Sequence, residues 1–255
     1  MMQTQEEILN RRDGPFLACR HTPGRKPTVV FLTGFRSDMG GAKAVHLEQH
    51  CVKSGRAFLR FDYRGHGVSE GRFEESCIGD WRADVLDILD RMVAGPVVLV
   101  GSSMGGWLML LAALARPAQV RGLVGIAAAP DFTHDLIVPK LTDVDRAVLH
   151  RDGVLLAPSA YGEPTPITRR LLEDGEAHLL LERPIDLTCP VHLLHGQLDP
   201  DVPWQTALRL AAAITGGAVT VELIKDGDHR LSREEDLRRI AAALDRVLEQ
   251  AGGDG

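Results

Sequence analysis

Cysteine is scarce in this 255-residue chain, and the patterns in which cysteine does chemistry are missing. Cys19, Cys51, Cys77 and Cys189 are scattered, and none stands in a C-x-x-C pair, which argues against zinc ribbons and dithiol redox motifs. They read as small buried hydrophobes in a reducing compartment. Positive charge is also short. With 29 Lys and Arg against 35 Asp and Glu, the net charge is −6, and no basic stripe is present to neutralise phosphates, so no nucleic-acid partner is expected. Walker A and H-E-x-x-H sequences, internal repeats and low-complexity tracts are absent.

The N-terminal stretch MMQTQEEILNRRDG carries acids and no apolar core. It reads as neither a secretory signal nor a transit peptide, and the expected location is the cytoplasm. Residues 95–115 form an uncharged run long enough to cross a bilayer. Gly101, Ser102, Ser103, Gly105 and Gly106 interrupt its middle, so a buried strand followed by a buried helix explains it better, and no stable membrane insertion is expected. Oligomeric state leaves no mark on the sequence.

What is present is an α/β pattern. The hydrophobic content of 44% and charged content of 25% suit one soluble globular domain over residues 1–255. EEILN and PFLACRH flank Asp13-Gly14 and predict a hairpin. Apolar runs at 28–32, 57–63, 97–100, 121–130, 189–196 and 219–224 predict strands. Helical patterns at 42–54, 78–93, 106–116 and 233–250 alternate with them. Such alternation predicts a mostly parallel sheet with helices on both faces. Residues 131–186 break the rhythm with scattered leucines and short helix signatures, one placing Pro166 at a first helical position. They read as an inserted cap.

The stretch VVLVGSSMGGWLMLLAALA (97–115) says most about chemistry. A β-branched run ends at Val100, Gly101-Ser102-Ser103-Met104-Gly105 follows, and an apolar helix begins at once. G-x-S-x-G between a strand and a helix is a nucleophile elbow, which holds the Ser103 hydroxyl out beyond the sheet. Ser102 lacks glycine at both plus and minus two. A serine is a poor nucleophile without a base, and the base needs an orienting acid. Asp199 follows the strand ending in His195-Gly196, and His229 follows the strand VTVELI, so all three lie just past strand ends in the order Ser, Asp, His. Two backbone donors should receive the oxyanion: the amides of Met104 and of Phe35 in the loop Thr33-Gly34-Phe35.

Competing readings are weaker. Asp201 is an alternative to Asp199 as the acid, whereas Asp226 and Asp228 suit loop or capping roles. His46 and His50, four apart, have metal-compatible spacing but no third ligand, and no metal is expected. His192 and His195 face opposite sides of a strand. Gly65-His66-Gly67 hints only faintly at a dinucleotide loop, because Gly71 comes one residue late.

The stretches GFRSDMGGAKA (34–44), RFDYRGHGVSEG (60–71), WRADVLDILD (81–90), GSSMGGWLMLLAALARP (101–117), LLHGQLDPDVPW (193–204) and DGDHRL (226–231) resemble the serine α/β-hydrolase superfamily. Within it they are most similar to the subgroup of α/β-hydrolase-domain protein ten, acyl-protein thioesterases and acyl-glucuronide esterases. The resemblance implies Ser103 as nucleophile, Asp199 as acid and His229 as base. It also implies hydrolysis of carboxylic thioesters and esters, including S-palmitoyl cysteine, with no cofactor. The expected partner is a small acyl ester or thioester, or an S-acylated protein. The same triad would also serve C–C bonds beside a ketone, or amides. A low-turnover binding homologue is the third reading, and its usual mark, a damaged triad, is not seen.

Overall fold

A computed structural model describes residues 4–12, 14–158 and 163–252. Eight strands form one sheet: β1 (Gln5–Arg11), β2 (Gly14–Thr22), β3 (Arg25–Leu32), β4 (Arg56–Phe61), β5 (Val97–Ser102), β6 (Val120–Ile126), β9 (Val191–Gly196) and β10 (Val219–Ile224). Their spatial order is β1-β2-β4-β3-β5-β6-β9-β10. β2 runs antiparallel to β1 and to β4. Every pairing from β4 to β10 is parallel. The mostly parallel sheet and its N-terminal hairpin therefore match the sequence reading, although Asp13 of the predicted turn lies outside the described residues.

Side chains alternate along each central strand, and both sets are apolar. In β5, Val97 and Leu99 join the cluster that contains Trp81, Trp107, Leu108 and Leu210. Val98 and Val100 join the opposite cluster with Leu47, Ile240, Leu244 and Val247. Helices α2 (Ile78–Met92), α3 (Met104–Ala115) and α6 (Gln205–Ala213) thus cover one face, and α1 (Ala42–Lys53) and α7 (Glu234–Ala251) the other. A strand buried on both sides reads as an unbroken apolar run, which is why these strands were visible in the sequence.

Among the described residues, 131–186 add no strand to this sheet. They hold α4 (Asp143–Asp152), a separate antiparallel pair of β7 (Val154–Ala157) and β8 (Thr165–Thr168), and α5 (Arg169–Glu176). The helix expected to start at Pro166 is instead strand β8, with Pro166 opposite Leu156 of β7. The fixed φ of proline suits an edge strand as well as a helix start. The helix starts later, where the Thr168 hydroxyl accepts from Leu171 N–H at 3.0 Å. The buried carboxylate of Asp131 accepts from the N–H groups of Leu180 and Leu181 at 2.7–3.0 Å, drawing the two ends of the segment together.

Candidate active site

β3, β5, β9 and β10 point the same way, so the loops that leave their carboxyl ends share one rim of the sheet. Ser103 follows β5 directly, with φ 54° and ψ −119°, a region that non-glycine residues rarely occupy. The surroundings enforce it. Ser103 N–H donates to Ile126 O at 2.9 Å, and its carbonyl accepts from Gly106 and Ala129 at 2.8 and 3.1 Å. A Cβ on Gly101 would strike the Gly105 carbonyl, and one on Gly105 would strike the Leu32 carbonyl. The two glycines of the motif are therefore required by close backbone approach.

Asp199 lies three residues past β9 and His229 five past β10. His229 Nδ1 is 2.7 Å from Asp199 Oδ2, and His229 Nε2 is 3.1 Å from Ser103 Oγ. An ionised carboxylate only accepts, so Nδ1 carries the proton and Nε2 presents a lone pair to the serine hydroxyl. The Asp199 side chain is wholly buried. Its Oδ1 accepts from the N–H groups of Asp201 and Val202, both at 2.8 Å. Burial alone would raise this carboxyl's pKa, but donors from His195, His229 and Val202 outweigh burial and hold it well below the usual carboxylate range. Of the two candidate acids, Asp199 has a carboxylate oxygen 2.7 Å from His229 Nδ1. Asp228 accepts from Leu231 N–H and Asp226 pairs with Arg233, as loop and capping residues do.

Met104 opens α3, where the first N–H groups have no intrahelical acceptor. The Phe35 loop lies alongside, since a Cβ on Gly34 would be 3.4 Å from Ser103 Cβ. Both proposed oxyanion donors thus belong to segments that touch the serine.

One functional neighbour escaped sequence reasoning. His195, at the end of β9, places Nε2 3.2 Å from Asp199 Oδ2 and 3.0 Å from Val202 O. Its only signal was a polar residue inside the apolar run VHLLHG. Among the described residues, Asp199, Asp201 and His229 also offer ligand atoms within 4.8 Å of one another. Both nitrogens of His229 are already engaged, however, one by Asp199 Oδ2 and the other by Ser103 Oγ. A cavity of about 420 Å³ opens elsewhere, lined by Arg72, Arg169, Arg170, Glu74, Glu173 and Asp152 among others. Its arginines are paired with Glu75, Glu173 and Asp80, and none of the three site residues lines it.

The sheet order and this rim describe an α/β-hydrolase, and comparison with known proteins agrees. The serine aminopeptidase S33 family matches residues 24–171, and the chain belongs to that family of α/β-hydrolases. It is 42% identical over 247 residues to the mouse mitochondrial palmitoyl-protein thioesterase ABHD10, covering 95% of this chain and 82% of that one. Against the human protein the identity is 39% over 253 residues, covering 97% and 81%. The structure of mouse α/β-hydrolase domain-containing protein 10 superposes with a TM-score of 0.89 at 41% identity, covering 96% of this chain and 98% of that one. The chain is an ester/thioester hydrolase of the α/β type. The comparisons overturn one expectation. The ABHD10 relatives are named mitochondrial, so the cytoplasmic location read from the N-terminal composition does not stand.

Proposed function

We propose that the chain cleaves acyl thioesters, with S-acylated cysteine of proteins as the substrate class, through an acyl-enzyme on Ser103. The observation that carries this reading is the unbroken hydrogen-bonded path from Asp199 through His229 to Ser103. Relatives named palmitoyl-protein thioesterase support the leaving group and the acyl class, and their names point to mitochondria as the compartment.

The chemistry follows from the path. Ser103 Oγ attacks the thioester carbonyl while its proton passes to His229 Nε2. Asp199, kept ionised by its donors, stabilises the imidazolium and fixes the ring. The oxyanion is received by the Met104 and Phe35 amides, each worth roughly 2.7–4 kcal/mol of barrier. Collapse expels the thiolate, which takes the proton from His229 and leaves as thiol. Water then attacks the acyl-enzyme, giving its proton to His229, and the carboxylic acid departs as that proton returns to Ser103. No step calls on a cofactor. Residues 131–186 act as a cap over the rim and shape the acyl site.

The test is a panel of S-acyl peptides, oxygen esters, amides and β-diketones assayed with the native chain and with Ser103→Ala. Thioester turnover that exceeds the other classes and vanishes in Ser103→Ala is the expected result. Thioester turnover that survives in the variant, or a preference for amides or diketones, contradicts the reading.

A further inference from the structure

Gly65-His66-Gly67 fitted no function in the sequence, and the structure gives its histidine a place beside the candidate oxyanion loop. Ser37 N–H donates to Gly34 O at 3.1 Å, closing a turn over Phe35 and Arg36. Arg36 has a φ of 57°. A left-handed third residue after a second residue of ordinary φ is the signature of a type II turn, which favours glycine or asparagine at that place. An arginine there carries backbone strain of about 1–3 kcal/mol, so something outside the turn must hold it.

His66 is so placed. Arg36 N–H donates to His66 Nε2 at 3.3 Å. On the other side of the ring, His66 Nδ1 lies 3.2 Å from Arg64 O. An amide only donates and a carbonyl only accepts, so one neutral tautomer satisfies both contacts: the proton on Nδ1 and the lone pair on Nε2. Trp81 Nε1 donates to the same Arg64 carbonyl at 3.2 Å. Tyr63, Phe73 and Trp81 stand edge-on to the ring with centroids 5.2–5.4 Å away, and the residue is 4% exposed. Burial lowers its pKa to about 4, which keeps the lone pair free near neutrality. Its own backbone is fixed by Tyr63 O and Ser69 N–H at 3.0 and 3.1 Å.

We propose that His66 is a positioning residue for hydrolysis: its Nε2 lone pair selects the orientation of the Phe35–Arg36 peptide and so holds the turn that presents the Phe35 N–H to the oxyanion. In the alternative type I turn the central peptide is flipped, and the Arg36 N–H faces away from the ring. The imidazole therefore decides between two backbone states without touching substrate. This inference rests on the reading of Phe35 as an oxyanion donor.

His66→Phe keeps the ring packing and removes the acceptor, while His66→Gln keeps an acceptor. We expect kcat for a thioester to fall about 10- to 100-fold in His66→Phe, with KM within threefold and a parallel rise in Ki for an alkyl boronic acid, which mimics the tetrahedral oxyanion. His66→Gln should recover at least part of that loss. Adding Arg36→Gly to His66→Phe should also restore kcat toward that of Arg36→Gly alone, because glycine holds the turn unaided. A folded His66→Phe with native kcat and Ki overturns the proposal. Nitrogen NMR of the native protein at pH 7 tests it without any variant. An unprotonated Nε2 on His66 is expected, and a proton on Nε2 overturns it. Ser103→Ala separates the two claims: if it retains turnover, the underlying reading fails, whereas an inert Ser103→Ala beside a fully active His66→Phe refutes this inference alone.

Discussion

His195 and Asp199 sit four residues apart at the exit of one strand, and the imidazole Nε2 of the first lies 3.2 Å from carboxylate Oδ2 of the second. Val202 O, which can only accept, lies 3.0 Å from the same nitrogen. Nε2 therefore carries a proton shared between the loop and the acid. Oδ2 also receives His229 at 2.7 Å, so His195 helps set the angle at which the acid meets the base.

Removing that donor should slow the enzyme without unfolding it. His195→Phe is expected to lower kcat about 10- to 100-fold with little change in KM, since one hydrogen bond to a carboxylate is worth about 1.5–3 kcal/mol. Steady-state kinetics on a p-nitrophenyl ester, with a melting curve on the same sample, provide the check. Native kcat in the variant contradicts the role.

The elbow's glycines should be among the least replaceable residues. Gly105→Ala drives a Cβ into the Leu32 carbonyl and to 2.6 Å from Thr33 O, both backbone atoms that cannot give way. A loss of about 3 kcal/mol or more is expected, lowering Tm by roughly 5–10 °C. Gly153→Ala, which has a left-handed φ of 75° and nothing within 4 Å, should cost only about 1 kcal/mol. Calorimetry on the pair separates collision from strain.

Acid should destabilise the fold partly through His66. Burial lowers its folded pKa to about 4, below the 6.5 of an exposed histidine, so the unfolded chain binds the extra proton between those values. Stability from this group is present above pH 6.5 and is lost as pH falls through 4. Urea titrations at pH 7, 5.5 and 4.5 should show a shallower decline for His66→Phe than for the native chain, by up to about 1.4 kcal/mol per pH unit. Parallel declines contradict the burial argument.

Cysteine reagents should leave activity intact. Burial pushes Cys19, Cys51 and Cys77 up to about 12, and it raises Cys189 as well. At pH 7.5 the thiolate fraction of the first three is then negligible, and that of Cys189 is below an ordinary cysteine's. Iodoacetamide should leave ester turnover unchanged over an hour, and loss of activity in step with alkylation of one cysteine would contradict this.

Much of the framework was legible because it is local. A strand buried on both faces shows itself as an apolar run, and the elbow leaves its mark because Gly101 and Gly105 must lack side chains. Asp199 and His229 could be chosen because both follow strand ends in the required order. The rest depends on contacts between distant parts of the chain. Pro166 fits a helix start or an edge strand equally well, and only pairing with Leu156 makes it a strand. His195 and His66 look like isolated histidines until the fold brings Asp199 and Arg36 against them. The N-terminal composition suggested the cytoplasm, and only the relatives, which are named mitochondrial, overturn that expectation.

Rapid quenching of the enzyme with p-nitrophenyl octanoate, followed by peptide mass spectrometry, tests the central claim most directly. The account predicts an octanoyl group on Ser103 that forms in the burst and decays at the steady-state rate. Acyl transfer to another side chain, or turnover in which no acylated peptide forms, would contradict it.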